Sequence, residues 1–354
     1  MPKFRFTEIA INSTEKKKPV EEDKFTYIGL EHLDSGTLTV SRWGSDIAPI
    51  GEKLVMKKGD VLFGKRRAYQ KKVGIAPFDG IFSAHGMVLR PREEVITKEY
   101  FPLFISSDYF LNEAIRISVG SLSPTVNWKD LKDLEFTIPS IEEQKRITPL
   151  IWAAIEAKNA YKEQIKCTDD LVKSQFIEMF GNEKEVVRLD QLCAHFGDGD
   201  WIESKDQSEE GIRLIQTGNV GNGEYKDKGD KARFVSEETF SRLGCTEVFP
   251  GDILISRLPD PIGRACIIPE MPKSITAVDC TIVRLKSELT PMFFVTFTKT
   301  PAYTSQIDSF TTGSTRKRIS RVNLGSILVP VPSIAKQNEF VAFAEQSDKS
   351  KFVV

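Results

Sequence analysis

The sequence predicts an α+β fold in which two copies of a strand-rich domain are separated by long helices. Three observations predict it. The 354 residues suffice for two ordinary domains, each burying its own core. Stretches of the first half recur in the second half, in the same order. Between the copies, residues 141–180 carry helical periodicity.

The repeat is direct. SVGSLSPTVNWKDLKDLEFTIPSIEEQKRI (118–147) aligns without gaps on TTGSTRKRISRVNLGSILVPVPSIAKQNEF (311–340), at an offset of 193 throughout. Identities include Gly120/Gly313, Leu131/Leu324, Pro139/Pro332, Ser140/Ser333 and Gln144/Gln337. Upstream, GDVLFGK (59–65) matches GDILISR (251–257) at offset 192, and YIGLEHLDSG (27–36) weakly matches LIQTGNVGNG (214–223) at offset 187. So small a drift describes a duplicated module of roughly 190 residues.

Each copy begins with strands. Phe25–Leu30, Leu54–Phe63 and Gly80–Arg90 are strand-like runs in the first; Arg213–Gln216, Asp252–Ser256, Ala265–Ile268 and Thr276–Leu285 are those of the second. Helical spacing follows at Lys98–Ser118 and Pro291–Ser309, and LEFTIPS or ILVPVPS closes each copy with a strand. GDVLFGKR (59–66) spells most of a phosphate-binding loop, G-x-x-x-x-G-K-[ST], with Arg66 in the hydroxyl position. The second copy replaces Gly64 and Lys65 by Ser256 and Arg257. The apolar V-L-F therefore reads as a buried strand entered by a turn at Lys58–Asp60, followed by a basic loop.

Ser140 and Glu143 form the S-x-x-E signature of a helix start, Pro149 predicts a kink or a late start, and Gly181 is placed to stop the helix. Ile147, Ile151, Ala154, Lys158, Tyr161, Ile165, Thr168, Val172, Gln175 and Met179 follow alternating four- and three-residue steps, one coiled-coil seam. The second helix starts the same way, but the sequence ends at Val354, where the partner of Phe180 would be residue 373. The domain boundaries are 1–140, a spacer helix at 141–182, 183–332, and a shortened second helix at 333–354.

Composition narrows the function. No apolar run approaches the roughly 20 residues that span a bilayer, and the N-terminus has no signal-peptide core, which predicts a cytoplasmic protein. Five dispersed cysteines fit reduced thiols, and His32, His85 and His195 are too scattered for a zinc site. The net charge is −1, but KRRAYQKK (65–72) and RKRISR (316–321) concentrate positive charge.

The order strand-rich part, long helix, strand-rich part, helix resembles the specificity subunit of type I restriction–modification systems. The residues that carry the likeness are GDVLFGKRRAYQKKVGIAPFDGIFSAHGMVLRP (59–91), the paired IPSIEEQ (138–144) and VPSIAKQ (331–337), and GSTRKRI (313–319). The resemblance implies two target-recognition domains, one per half of a split double-stranded DNA site. It implies an antiparallel coiled coil that docks DNA methyltransferase subunits. S-adenosylmethionine then belongs to those subunits, ATP and Mg to a separate restriction and translocation subunit, and no cofactor to this chain. The short last helix departs from that pattern. No N-P-P-Y or D-P-P-Y tetrapeptide of an adenine methyltransferase occurs.

Candidate DNA contacts in the first copy are Lys65, Arg66, Arg67, Lys71 and Lys72, with Tyr69 among them. In the second they are Arg257, Arg264, Arg316, Lys317 and Arg318. Base readers are expected where the copies differ, in the loops Asp34–Asp46 and Asp198–Glu209. The coiled-coil and docking positions are Ile147, Ile151, Ala154, Tyr161, Ile165, Val172 and Met179. A stand-alone DNA-acting enzyme and a protein-binding scaffold with basic loops remain the alternatives.

Overall fold

The computed structural model describes residues 2–313 and 317–350, and compactness divides the chain after Asn159, inside the long helix. The strands of the first unit are β1 (Lys3–Arg5), β2 (Ala10–Ser13), β3 (Lys16–Lys17), β4 (Tyr27–Ile28), β5 (Lys53–Met56), β6 (Val61–Phe63), β7 (Val73–Ile75), β8 (Gly80–Phe82), β9 (Met87–Pro91) and β10 (Glu135–Thr137). They form sheets of order β2-β9-β6-β7 and β3-β5-β8-β4, and a β1-β10 pair. The helices are α1 (Phe6–Ile9), α2 (Phe101–Ser106), α3 (Asp108–Arg116), α4 (Trp128–Leu131) and the first part of α5 (Ile141–Phe180).

The second unit holds β11 (Val186–Arg188), β12 (Cys193–Asp198), β13 (Ile212–Ile215), β14 (Arg233–Val235), β15 (Glu247–Val248), β16 (Ile253–Ser256), β17 (Ala265–Ile267), β18 (Ser274–Thr276), β19 (Cys280–Leu285) and β20 (Leu328–Pro330). Its further helices are α6 (Glu237–Leu243), α7 (Pro291–Phe297), α8 (Pro301–Phe310), α9 (Arg321–Gly325) and α10 (Ile334–Ser350). Its sheets repeat the plan: β12-β19-β16-β17, β14-β13-β18-β15, and β11-β20. One strand breaks the repetition. β4 runs parallel to β8 as β13 does to β18, but the added edge strand is β3 beside β5 in one unit and β14 beside β13 in the other.

Two side chains explain why the repeated residues recur. Gln144 and Gln337 are both 0% exposed. The Gln144 Oε1 accepts the Thr97 N–H at 2.7 Å, and its Nε2 donates to the Val95 and Pro139 carbonyls at 2.9 Å. Gln337 makes the same three bonds with Thr290, Glu288 and Pro332. Each amide thus bolts the start of a long helix to the segment entering α2 or α7. Asp60 likewise accepts the Lys57 N–H at 2.8 Å across the turn containing Gly59 (φ 91°), and its carboxylate takes both Arg90 N–H groups at 2.7 and 2.8 Å. Asp252, Phe249, Gly251 and Arg284 reproduce this arrangement. GDVLF is therefore a turn followed by the fully buried β6, as expected.

The structure divides several predicted elements. Lys98–Ser118 is two helices, because Ser107 is extended and its Oγ accepts the Phe110 N–H as the cap of α3. Pro291–Ser309 breaks likewise at Thr300, before Pro301 starts α8. The runs Leu54–Phe63, Gly80–Arg90 and Thr276–Leu285 each split into two strands around a turn.

Helix α5 runs unbroken through Pro149. Ser140 Oγ accepts the Glu143 N–H at 3.3 Å, but the Glu143 carboxylate pairs with Arg146 rather than completing a capping box. Gly181 has no positive φ; it is needed because a Cβ there would lie 2.5 Å from the Ile177 carbonyl oxygen. The seam also needs correction. Ala154 and Lys158 are exposed, and the helix packs on the first core through Ile151, Trp152 and Ile155. A straight helix of about 3.6 residues per turn drifts off a strict heptad line. Ile147, Tyr161 and Ile165 are half-buried, while Val172, Met179, Phe176 and Phe180 pack into the second core. There the Phe340 ring of α10 lies 5.2 Å from that of Phe176 and 5.8 Å from that of Phe180. Cys193, Cys245, Cys266 and Cys280 are buried free thiols, and burial pushes Cys266 up to about 12.

Candidate nucleic-acid interface

The hairpin joining β6 to β7 and the one joining β16 to β17 are the same device. In each, the first loop residue donates to the last, Gly64 to the Lys72 carbonyl and Ser256 to the Arg264 carbonyl, both at 2.9 Å. The bases of the loops are held alike: Val126 donates to the Lys65 carbonyl at 2.9 Å and Ile319 to the Arg257 carbonyl at 3.3 Å. The loops 64–72 and 256–264 therefore occupy corresponding places at equal length.

Their last residues are braces. Lys72 Nζ donates to the Leu30 carbonyl at 2.6 Å. Arg264 donates to the Thr217 carbonyl, the counterpart of Leu30 in the repeat, and also to Val220, Leu258 and Pro261, at 2.7–2.9 Å. With only 9% of Arg264 exposed, its donors are spent within the fold. Arg257 is 4% exposed, donates to the Val278 carbonyl at 2.6 Å and lies 3.5 Å from Asp198. Arg257, Arg264 and Lys72 thus leave the set of free surface cations expected to contact DNA. Lys71 is paired with Asp108.

What remains exposed in the first loop is Arg66, Arg67 and Tyr69, with Lys65 half-buried beside them. Arg67 and Lys71 both adopt left-handed backbone, at φ 56° and 51°, bracketing the turn at 68–70. Such strain in non-glycine residues concentrates at functional sites. Arg66 Nη1 is 3.4 Å from His85 Nε2, and Arg67 Nε donates to Ser123 Oγ at 3.4 Å. Among the described residues, neither guanidinium has a carboxylate within ion-pair distance.

Near this patch the structure also brings His85, Lys16, which pairs with Glu52 at 3.8 Å, and Lys53, which donates to the Ile50 and Gly51 carbonyls. Burial first, and then the charge of Lys16, push the Lys65 ammonium below its ordinary value. His85 is lowered by burial and then by Arg66, Lys65 and Lys53. Cations gathered around Lys65 and His85 form a field suited to an anion. These residues lie tens of positions apart, and no spacing in the sequence announces them.

In the second unit Lys317 and Arg318 are exposed, and Thr312 and Arg318 exchange backbone bonds. Arg316 lies outside the described residues. Of the loops expected to read bases, 34–46 carries an Arg42–Asp34 ion pair and Trp43, 49% exposed and stacked edge-on against Phe78. In 198–209, Trp201 is 71% exposed. Among the described residues no group of three or more His, Cys, Asp or Glu side chains comes together as a metal site. No described helix is long and apolar enough to cross a membrane.

Comparison with known proteins falls on the same two units. The profile of one family, described as the type I restriction modification DNA specificity domain, matches residues 6–166 and again residues 181–352. The type I restriction enzyme EcoDI specificity subunit of Escherichia coli is 24% identical over 165 residues, 46% of this chain. That match spans only 36% of the relative's length. The type I restriction–modification S subunit from M. genitalium superposes with a TM-score of 0.53 at 15% identity, covering 99% of this chain and 90% of the other. The HsdS subunit from Thermoanaerobacter tengcongensis gives a TM-score of 0.39 at 18% identity over 99% and 89% of the two chains.

Proposed function

This chain belongs to the type I restriction–modification DNA specificity family, and on that premise we propose that it is a non-catalytic reader of double-stranded DNA. It directs modification and restriction subunits to a site in two halves, one half per unit. The observation that carries this reading is the cation patch of the first unit, where Arg66 and Arg67 stand exposed without a carboxylate partner among the described residues and Lys65 stands half-buried beside them.

The patch serves phosphate oxygens, which set register and orientation without conveying sequence. Each guanidinium presents a planar fork of donors that fits a phosphate or the O6/N7 edge of guanine. Tyr69, exposed between them, offers an apolar ring and one hydroxyl. In the second unit Lys317 and Arg318 take the corresponding part. Helix α5, with its 40 residues, is about 60 Å long, more than one turn of duplex at about 34–36 Å. We assign it the role of ruler between half-sites. Leu150, Leu171 and Ile177 stand exposed along it and suit the docking of methyltransferase subunits. Those subunits would bring S-adenosylmethionine, and a restriction and translocation subunit ATP and Mg²⁺, in the cytoplasm.

The test is purification from the native cell, with identification of co-eluting proteins and binding of randomised duplex. A stoichiometric DNA methyltransferase and selection of a two-part sequence support the reading. A chain that elutes alone and binds all duplexes equally, or none, overturns it.

A further inference from the structure

The two corresponding hairpin loops carry opposite chemistry. In the first, residues 65–72 include five cations. In the second, both arginines are turned inward, and the tip Pro259-Asp260-Pro261 is exposed. That tip is rigid: Arg264 Nη1 donates to the Leu258 carbonyl at 2.8 Å and to the Pro261 carbonyl at 2.9 Å, on either side of Asp260. Two prolines fix φ at the flanking positions. Among the described residues, Asp260 has no ion-pair partner within 4.0 Å. It shares the wall of a cleft of about 570 Å³ with Thr304, Asp308, Thr311 and Lys317.

A free carboxylate held at the place where the sister unit presents cations is repelled by phosphate. It accepts hydrogen bonds and donates none. On a duplex, the donors that identify a base from the major groove are the exocyclic amines, cytosine N4 and adenine N6. We propose that Asp260 is a sequence-reading residue of the second unit, its carboxylate accepting a hydrogen bond from an exocyclic base amine, with Arg264 as the positioning residue that holds the tip. This rests on the DNA-reading function proposed above and adds to it a residue and a chemical rule. The hairpin loop of one unit meets the duplex with donors, that of the other with an acceptor.

The experiment selects bound sequences from a randomised duplex library, using the full chain with whatever subunits accompany it. Wild type is compared with Asp260→Ala and Asp260→Asn. The side chain is exposed, so both variants should keep the wild-type melting temperature. Asp260→Ala should lose about ten-fold or more of discrimination at one base pair of one half-site, with the other half-site unchanged. A wild-type cytosine there identifies N4 as the donor, and a wild-type adenine identifies N6. Asp260→Asn should move a cytosine preference toward adenine, whose N6/N7 edge fits an amide. An identical consensus in all three proteins overturns the assignment of Asp260 while leaving the DNA-reading function standing. So does a uniform gain in affinity without a change of consensus, since the carboxylate would then merely repel. A wild type that selects no consensus overturns both.

Discussion

Replacing Arg66 and Arg67 together by Ala tests the cation patch most directly. Both side chains are exposed, and their nearest polar partners, His85 and Ser123, are 3.4 Å away and uncharged or weakly charged near neutral pH. Their loss should leave the fold intact. If each neutralises one phosphate, the slope of log K against log salt falls by about 0.9 per contact, about 1.8 in all. Extrapolated from 1 M salt, where the counterion contribution vanishes, this is about 60-fold weaker binding at 0.1 M. Fluorescence anisotropy with a labelled duplex at four or five salt concentrations measures both quantities. Lys71→Ala is the control: its ammonium already faces Asp108, so its effect on the slope should be smaller. A double variant whose slope stays within about 0.5 of wild type would refute the assignment of these arginines to phosphate.

Three further outcomes are expected. Gln144→Leu strands one buried N–H and two buried carbonyls, at about 1–3 kcal/mol each, so the first unit should lose at least about 3 kcal/mol. Trp128 and Trp152 pack on that core whereas Trp201 is 71% exposed, so denaturation followed by tryptophan fluorescence reports on it, and a loss below about 1 kcal/mol contradicts the bolt. His85 titrates below its ordinary 6.5, so it is neutral at pH 7 and gains charge only as pH falls. Phosphate favours that charged form, so DNA affinity should rise between pH 7 and 5.5 by at most one proton of linkage; the same rise in His85→Ala would assign it to another group. Deleting residues 156–162, a largely exposed stretch of α5, removes about 10 Å of helix. The preferred gap between half-sites should change by about three base pairs while both half-site sequences persist, and an unaltered gap with intact folding disposes of the ruler.

Much of the architecture is legible in the sequence because the repeated positions are geometric necessities. Gly59 and Gly251 need positive φ, Asp60 and Asp252 close their turns, and Gln144 and Gln337 satisfy buried backbone. Two similar units and a long helix follow from these. The break at Thr300 is marked by Pro301, which holds the residue before it extended, whereas the break at Ser107 was not legible, since the apolar spacing continues across it and only cap geometry interrupts it. Nor were β3 and β14, two- and three-residue edges whose pairing is decided by the neighbouring sheet. The charge runs located the hairpin loop but not its free donors. A lysine that reaches a carbonyl, as Lys72 does, is written in the sequence like one that reaches solvent. Arg257 and Arg264 differ from Arg66 and Arg67 only in what folds around them.

The braces at Lys72 and Arg264 have a consequence for how such a molecule tolerates change. Each ties its hairpin to the chain just beyond β4 or β13, while the next frame strand, β5 or β15, is anchored by its own sheet. What lies between is held at both ends and at a few buried points, Leu33, Leu38 and Val40 in one unit and Val220 and Val235 in the other. The two units already differ there, with α6 and β14 in one and no regular element after His32 in the other. Substitutions at the exposed positions of these intervals touch neither the turn, nor the bolt, nor the brace. Each unit is thus a fixed chassis with one replaceable panel, and the panels can diverge without reference to each other.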